Sequence, residues 1–213
     1  MITRVLAAAL ILGAVATASG ADVQVDAYRR AAAAGAFGTV AGHAWEERRR
    51  PAGVEQPLTG TVVTLVPHSP ALLARLEEIR TRSRDSMNAY RGSARVMRLA
   101  REAYEKELWE AGAADLVRTS VVDGSGDFKI EDLPAGAWLL IATRSVFVDK
   151  ASPRVTERER GTYAPALRLT GFSTVSVWLR EITVSTGLIQ VELMDRNPWF
   201  TGIEEERTLD ASP

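Results

Sequence analysis

Residues 121–142 read VVDGSGDFKIEDLPAGAWLLIA, and this stretch decides the fold. An Asp-Gly pair between apolar runs predicts a tight hairpin turn, because glycine adopts positive φ without steric cost. After the turn, Phe128 and Ile130 alternate with charged residues, as in a strand with one buried face. Residues 138–142 include no polar side chain, so they predict a strand buried on both faces. The stretch therefore predicts the centre of an antiparallel β-sandwich.

The overall composition is that of a folded globular protein. The chain has 213 residues, of which 46% are hydrophobic and 25% charged, enough for one domain with a satellite element. A net charge of −1 gives no electrostatic basis for nucleic-acid binding, so no nucleic-acid partner is expected. The chain has no cysteine, which excludes disulfides, thiolate metal sites and a lipid-modified cysteine.

The first 21 residues have the pattern of a secretory signal peptide. Arg4 supplies a positive start, and residues 5–16 form an apolar run that is too short to span a bilayer comfortably. Small residues at 16–18 and 19–21 offer two cleavage sites. We expect a periplasmic or secreted protein with no membrane span after cleavage, and a retained membrane anchor is the alternative.

The remainder of the chain divides into four parts. Residues 22–37 are rich in alanine and predict a weakly ordered linker or a short helix. A single sandwich domain is expected over residues 38–200, followed by a flexible tail at 201–213. Helix-forming residues fill 69–112, which predicts a helical insert between the second and third strands.

The insert must reverse direction. One helix over its whole length would be about 60 Å long, whereas both ends must return to neighbouring strands. We place the reversal at residues 90–93, where Gly92 would end one helix and Ser93 would cap the next. The polar run at residues 81–86 is the second choice.

Three segments resemble the carboxypeptidase regulatory-like family: GTVAG at 38–42, LTGTVVTL at 58–65 and DGSGDFKIEDLPAG at 123–136. The resemblance covers residues 38–148, with 175–193 supplying the last strands. It implies a mainly β protein: a seven-stranded antiparallel transthyretin-like (prealbumin-like) sandwich of the carbohydrate-binding-like fold. The helical hairpin inserted into this frame is a departure from the family. A non-catalytic accessory or adhesion module is the function that the resemblance implies.

No motif for catalysis or metal binding accompanies the two histidines. We interpret His43 as a half-exposed strand residue and His68 as part of a strand-to-helix corner; a metal ligand or a base is the alternative for His43. Asp123, Ser125 and Asp127 resemble the start of a calcium loop, but the acid at its twelfth position is missing. We therefore expect no catalytic, cofactor or metal site, and a hydrolase or metal-dependent enzyme is a distant alternative.

Five residues are candidates for contact with a ligand or partner. Trp199 and Phe200 follow a turn and could stack on a sugar. Arg80, Arg84 and Arg95 belong to a basic stripe of the insert, which is either a surface for an anionic partner or a solvated, salt-bridged face. The main hypothesis is an exported module whose insert contacts an envelope protein or a second copy of itself. Carbohydrate binding through exposed aromatic residues is the alternative.

Overall fold

A computed structural model describes residues 23–47, 55–150 and 167–209. The predicted signal peptide lies outside these residues. The strands are β1 (Phe37–Glu46), β2 (Gln56–Pro57), β3 (Val62–Pro67), β4 (Arg118–Val121), β5 (Asp127–Pro134), β6 (Gly136–Asp149), β7 (Leu167–Val184), β8 (Gly187–Met194) and β9 (Phe200–Leu209). The helices are α1 (Val25–Ala33), α2 (Pro70–Arg82) and α3 (Met87–Glu110), with one 3-10 turn at Ala114–Leu116. No helix in the described ranges is long and apolar enough to cross a membrane.

The strands form two sheets, which confirms a mainly β protein. The larger sheet has the order β4-β3-β6-β7-β9, and all its neighbours are antiparallel. In the smaller sheet, β1 pairs antiparallel with β2 and β5, and parallel with β8. The described residues thus contain nine strands and one parallel pair, where the sequence predicted seven antiparallel strands.

The Asp-Gly turn connects the two sheets. Because β4 belongs to the larger sheet and β5 to the smaller one, the predicted hairpin is wrong. The positive φ expected at the Asp-Gly pair is found two residues later, at Gly126 with φ 91°, and not at Gly124. The loop is held instead by the Asp123 carboxylate, which accepts hydrogen bonds from the backbone N–H of Asp127 at 3.0 Å and of Ser125 at 2.8 Å. These bonds lower the pKa of Asp123, because they stabilise its charged form.

β6 is the central strand of the larger sheet and is buried on both faces over residues 138–142, as predicted. On one face, Ile141 lines a cavity together with Leu76 of α2. On the opposite face, the Trp138 ring packs edge-on against Tyr28 of α1, with ring centroids 5.2 Å apart. On that same face, the Trp178 Nε1 atom of β7 donates to the Met194 carbonyl of β8 at 2.8 Å, so the helical pair, the larger sheet and the smaller sheet are three successive layers.

α2 and α3 form the predicted helical pair, but the chain reverses at residues 83–86. Gly92 and Ser93 lie within α3, so the first placement of the reversal is wrong and the second choice contains it. Ser86 determines where α3 begins, since its hydroxyl oxygen accepts a hydrogen bond from the Ala89 N–H at 3.1 Å. An isolated glycine inside a helix costs only about 1 kcal/mol relative to alanine, so α3 continues through Gly92.

Replacing Ser86 with alanine removes the N-cap acceptor of α3. We expect the free energy of unfolding to fall by about 1 kcal/mol, measured by urea unfolding with circular dichroism. Ser86→Asp keeps an acceptor oxygen at the cap and should unfold like the original chain. Equal losses in the two variants would contradict the capping role.

Residues 22–37 contain α1, which agrees with the short helix that was one of the two predictions, and the predicted tail contains β9. In α1, the Tyr28 hydroxyl donates to the Ala137 carbonyl, and burial raises the pKa of Tyr28. The predicted tail is wrong up to residue 209, because β9 pairs with β7 along its length. Its acidic residues resemble a solvated tail in sequence, but Glu204 lies 2.9 Å from Arg98 of α3. Residues 210–213 lie outside the described ranges.

Candidate functional site

The predicted aromatic platform at Trp199 and Phe200 is not free. Phe200 is only 3% exposed, because it begins β9 opposite Val177 of the buried strand β7. Trp199 is partly buried against the core, and the Arg80 guanidinium lies 4.8 Å from its ring centroid. Arg80 therefore joins α2 to the start of β9 through a cation–π contact, which gives both residues a structural role.

The other two predicted contact residues, Arg84 and Arg95, are exposed. Arg84 lies in the reversal between the helices and Arg95 on α3, and no ion pair among the described residues involves either. The neighbouring arginines are paired within the helices: Arg80 with Glu77, Arg82 with Glu78, Arg98 with Glu102, and Arg101 with Glu105. The surface of the helical pair is thus mostly salt-bridged, and pairs of this kind contribute little to stability.

Each histidine lies next to one carboxylate. The His43 Nδ1 atom is 2.8 Å from an oxygen of Asp127, its cross-strand neighbour on β5, and the His68 Nε2 atom is 2.7 Å from an oxygen of Glu181. Within the described ranges, no three His, Cys, Asp or Glu side chains form a group that could hold a metal ion. The catalytic alternative for His43 stays a prediction, because a single histidine–carboxylate contact does not test it.

The end of β6 exposes three consecutive apolar side chains. Val146, Phe147 and Val148 are 44%, 51% and 38% exposed. Pairing between β3 and β6 ends where Val62 meets Thr143, and no other described strand pairs with that edge of β6. Unpaired backbone groups beside exposed apolar side chains form a template for pairing with another chain.

The end of β6 is held in an extended conformation by β7. Their pairing continues to Asp149 opposite Gly171. Gly171 allows this arrangement, because a Cβ atom at that position would overlap the Phe147 ring. On the other face, Arg144 lies 3.4 Å from Glu46 at the end of β1. One edge of the extension is therefore occupied by β7, while its side chains remain accessible.

Sequence reasoning missed Trp109, whose side chain is 68% exposed near the end of α3. Helical periodicity could have predicted this exposure. Leu108 continues the buried face of α3, so the next residue must point away from that face and towards solvent. Val96 and Leu99 of the same helix are also exposed, at 45% and 47%. The helical pair thus presents scattered apolar side chains, in contrast to the consecutive set on β6.

The outer face of the smaller sheet carries an aromatic pair. The rings of His43 and Trp45, two residues apart on β1, have centroids 5.2 Å apart, and both residues are partly exposed. Asp127 of β5 and Glu192 of β8 are opposite His43 in the two neighbouring strands. An aromatic ring with oxygen acceptors beside it can stack on the apolar face of a ligand and bind its hydroxyl groups.

No protein-family model matches the sequence, and no curated protein matches it. A proposed carbohydrate-binding protein of Pseudomonas aeruginosa is similar in structure, with 15% identity and a TM-score of 0.38, over 75% of this chain and 88% of that one. The pilus backbone of Streptococcus pneumoniae is similar with 15% identity and a TM-score of 0.24, over 51% of this chain and 30% of that one. At these TM-scores neither similarity assigns a function to this chain. Membership of the carboxypeptidase regulatory-like family stays a prediction.

Proposed function

We propose that this chain is an exported, non-catalytic accessory module that binds an extended segment of another protein along the edge of β6. The observation that carries the proposal is the unpaired edge beyond Thr143 with exposed apolar side chains at Val146, Phe147 and Val148. An added strand gains affinity from main-chain hydrogen bonds and specificity from alternate side chains. The surface therefore suits an apolar peptide in an extended conformation.

The helical pair supports this function by covering the larger sheet. Leu76 and Tyr104 are at most 4% exposed. The Tyr104 hydroxyl donates to the carbonyl of Pro67, the last residue of β3, at 2.8 Å. The helices exclude water from the outer face of the larger sheet. A partner strand would therefore pair with a rigid sheet that is exposed only at the end of β6. Contact of a partner with the insert itself, the main hypothesis from the sequence, stays a prediction.

Export rests on the signal-like residues 1–21, which lie outside the described ranges. We expect the mature chain to begin at residue 19 or 22, after one of the two small-residue sites. Intact-mass measurement of the protein from the periplasmic fraction checks this expectation. A chain that keeps its first residues in the membrane fraction would support the anchor alternative instead.

A photo-cross-linking amino acid at position 147 tests the contact with a partner. In the full chain, expressed in its own cells, we expect one discrete adduct with another protein. The same group at position 188 is the matched control, because Leu188 is 59% exposed on β8 of the other sheet. Val146→Lys together with Val148→Lys should abolish the adduct by placing charges beside the edge. No adduct at 147, or an adduct that survives both lysines, would refute the proposal.

Carbohydrate binding is the second candidate, and it is favoured by the aromatic pair of His43 and Trp45. If a glycan array detects a ligand, Trp45→Ala should weaken its binding at least about tenfold, as expected for a central aromatic contact. Trp199→Ala should leave binding unchanged, because that ring is covered by Arg80. Equal effects of the two substitutions would show that the pair of His43 and Trp45 is not the binding site.

A further inference from the structure

A cavity of about 130 Å³ lies between the helical pair and the larger sheet. Most of its lining is apolar and buried, although Thr143 and Ser145 of β6 also contribute. The apolar lining residues are Leu76, Ala94, Met97, Ile141, Val175 and Val177. An apolar cavity of roughly 150 Å³ stays dry and accepts a molecule such as benzene. This cavity therefore has the size and lining for one compact apolar group.

The mouth of the cavity is polar and contains two arginines. Arg98 reaches from α3 to β9 and lies 2.9 Å from Glu204. Arg101 is different: its Nε atom lies 3.1 Å from a carboxylate oxygen of Glu105, yet this atom is buried and makes no hydrogen bond to any described residue. A buried N–H donor without an acceptor costs free energy, and an oxygen atom placed in the mouth would recover that cost.

The charges around the mouth restrict the polar end of a ligand. Arg98 is already paired with Glu102 and Glu204, and Arg101 with Glu105, so a carboxylate ligand would compete with these carboxylates for the arginines. Burial raises the pKa of Glu105, so the surroundings already disfavour its charged form. A hydroxyl group is compatible with both kinds of side chain, because it can accept a hydrogen bond from an arginine and donate one to a glutamate.

We propose that this cavity binds a small alcohol or phenol. The apolar group lies among Leu76, Met97 and Val177, and the hydroxyl oxygen accepts a hydrogen bond from the Arg101 Nε atom. The site requires no protein partner at the edge of β6, so a test of this site is independent of the proposed function.

Phenol is the probe, titrated into the full mature chain while NMR follows the methyl signals of Met97 and Val177. We expect saturable shifts of these methyl groups. Benzene, which lacks the hydroxyl, should bind about tenfold more weakly, and benzoate should also bind more weakly than phenol. The absence of saturable shifts would overturn the proposal, as would tighter binding of benzoate.

Two substitutions distinguish the cavity from a surface site. Arg101→Lys keeps the charge but removes the Nε donor, so it should weaken phenol about tenfold and leave benzene unchanged. Ala94→Leu fills the cavity and should abolish binding of both probes. If that variant does not fold, Val177→Leu fills the cavity from the opposite wall. Phenol binding that survives in a folded, filled variant would overturn the assignment.

Discussion

Trp138→Ala is expected to lower the free energy of unfolding by about 3–5 kcal/mol, the largest loss for any single substitution considered. The Trp138 side chain is 0% exposed in the centre of β6. Its Nε1 atom donates to the Pro134 carbonyl at 3.0 Å, and its ring packs against Tyr28. Alanine would leave a cavity beside Tyr28 and would remove the hydrogen bond to the Pro134 carbonyl. Domains are stable by only about 5–15 kcal/mol, so this loss is a large fraction of the total.

Trp109→Ala is the matched control for that experiment, because it makes the same chemical change at a side chain that is 68% exposed. Its unfolding free energy should stay within about 0.5 kcal/mol of the original. Urea unfolding followed by far-ultraviolet circular dichroism measures both variants. Trp138→Phe keeps a ring and should fall between them. Similar losses for the two alanine variants would contradict the burial of Trp138 on the face of β6 that packs against α1.

The second large effect is expected at Gly42 of β1. A Cβ atom there would overlap both the Val191 carbonyl of β8 and the Phe128 ring of β5. Since a backbone atom is one of the obstacles, the parallel pair of β1 and β8 must move apart to admit a methyl group. We expect Gly42→Ala to lower the free energy of unfolding by about 1–3 kcal/mol.

Gly92→Ala is a control for which the free energy of unfolding should change in the opposite direction. It lies within α3, and a Cβ atom added there would meet no neighbouring atom within 4 Å. Alanine is the better helix former, so the free energy of unfolding of this variant should rise by about 0.5–1 kcal/mol. Urea unfolding of both variants separates the two effects. A loss at Gly92, or no loss at Gly42, would contradict the described surroundings of these glycines.

Local periodicity predicted the strands well, but it could not predict their neighbours. Phe128 and Ile130 are buried and their charged neighbours exposed, as the alternation requires. The partner of Ile130 is Val40 of β1, however, and nothing in the adjacent turn specifies that choice. An aspartate carboxylate can accept hydrogen bonds from the following backbone N–H groups whether its loop joins paired strands or connects two sheets, as Asp123 does here.

The candidate surfaces were harder to predict because exposure depends on distant residues. Trp199 follows a turn, as a binding residue could, but its ring is covered by Arg80 from a helix far away in sequence. Likewise, residues 138–148 form one largely apolar run. Which part of it is exposed depends on length: β6 has 14 residues and its neighbour β3 only 6.

The parallel pairing of β1 with β8 determines when this domain can fold. Gly38 pairs with Gly187, so the first strand of the domain is completed by one of the last to be synthesised. Closing so long a loop costs conformational entropy before the pairing of β1 with β8 contributes any stabilising free energy. Topologies with many such distant contacts fold over milliseconds to seconds, far more slowly than helical bundles. A growing chain therefore cannot complete the smaller sheet until β8, about 150 residues after β1, has been synthesised.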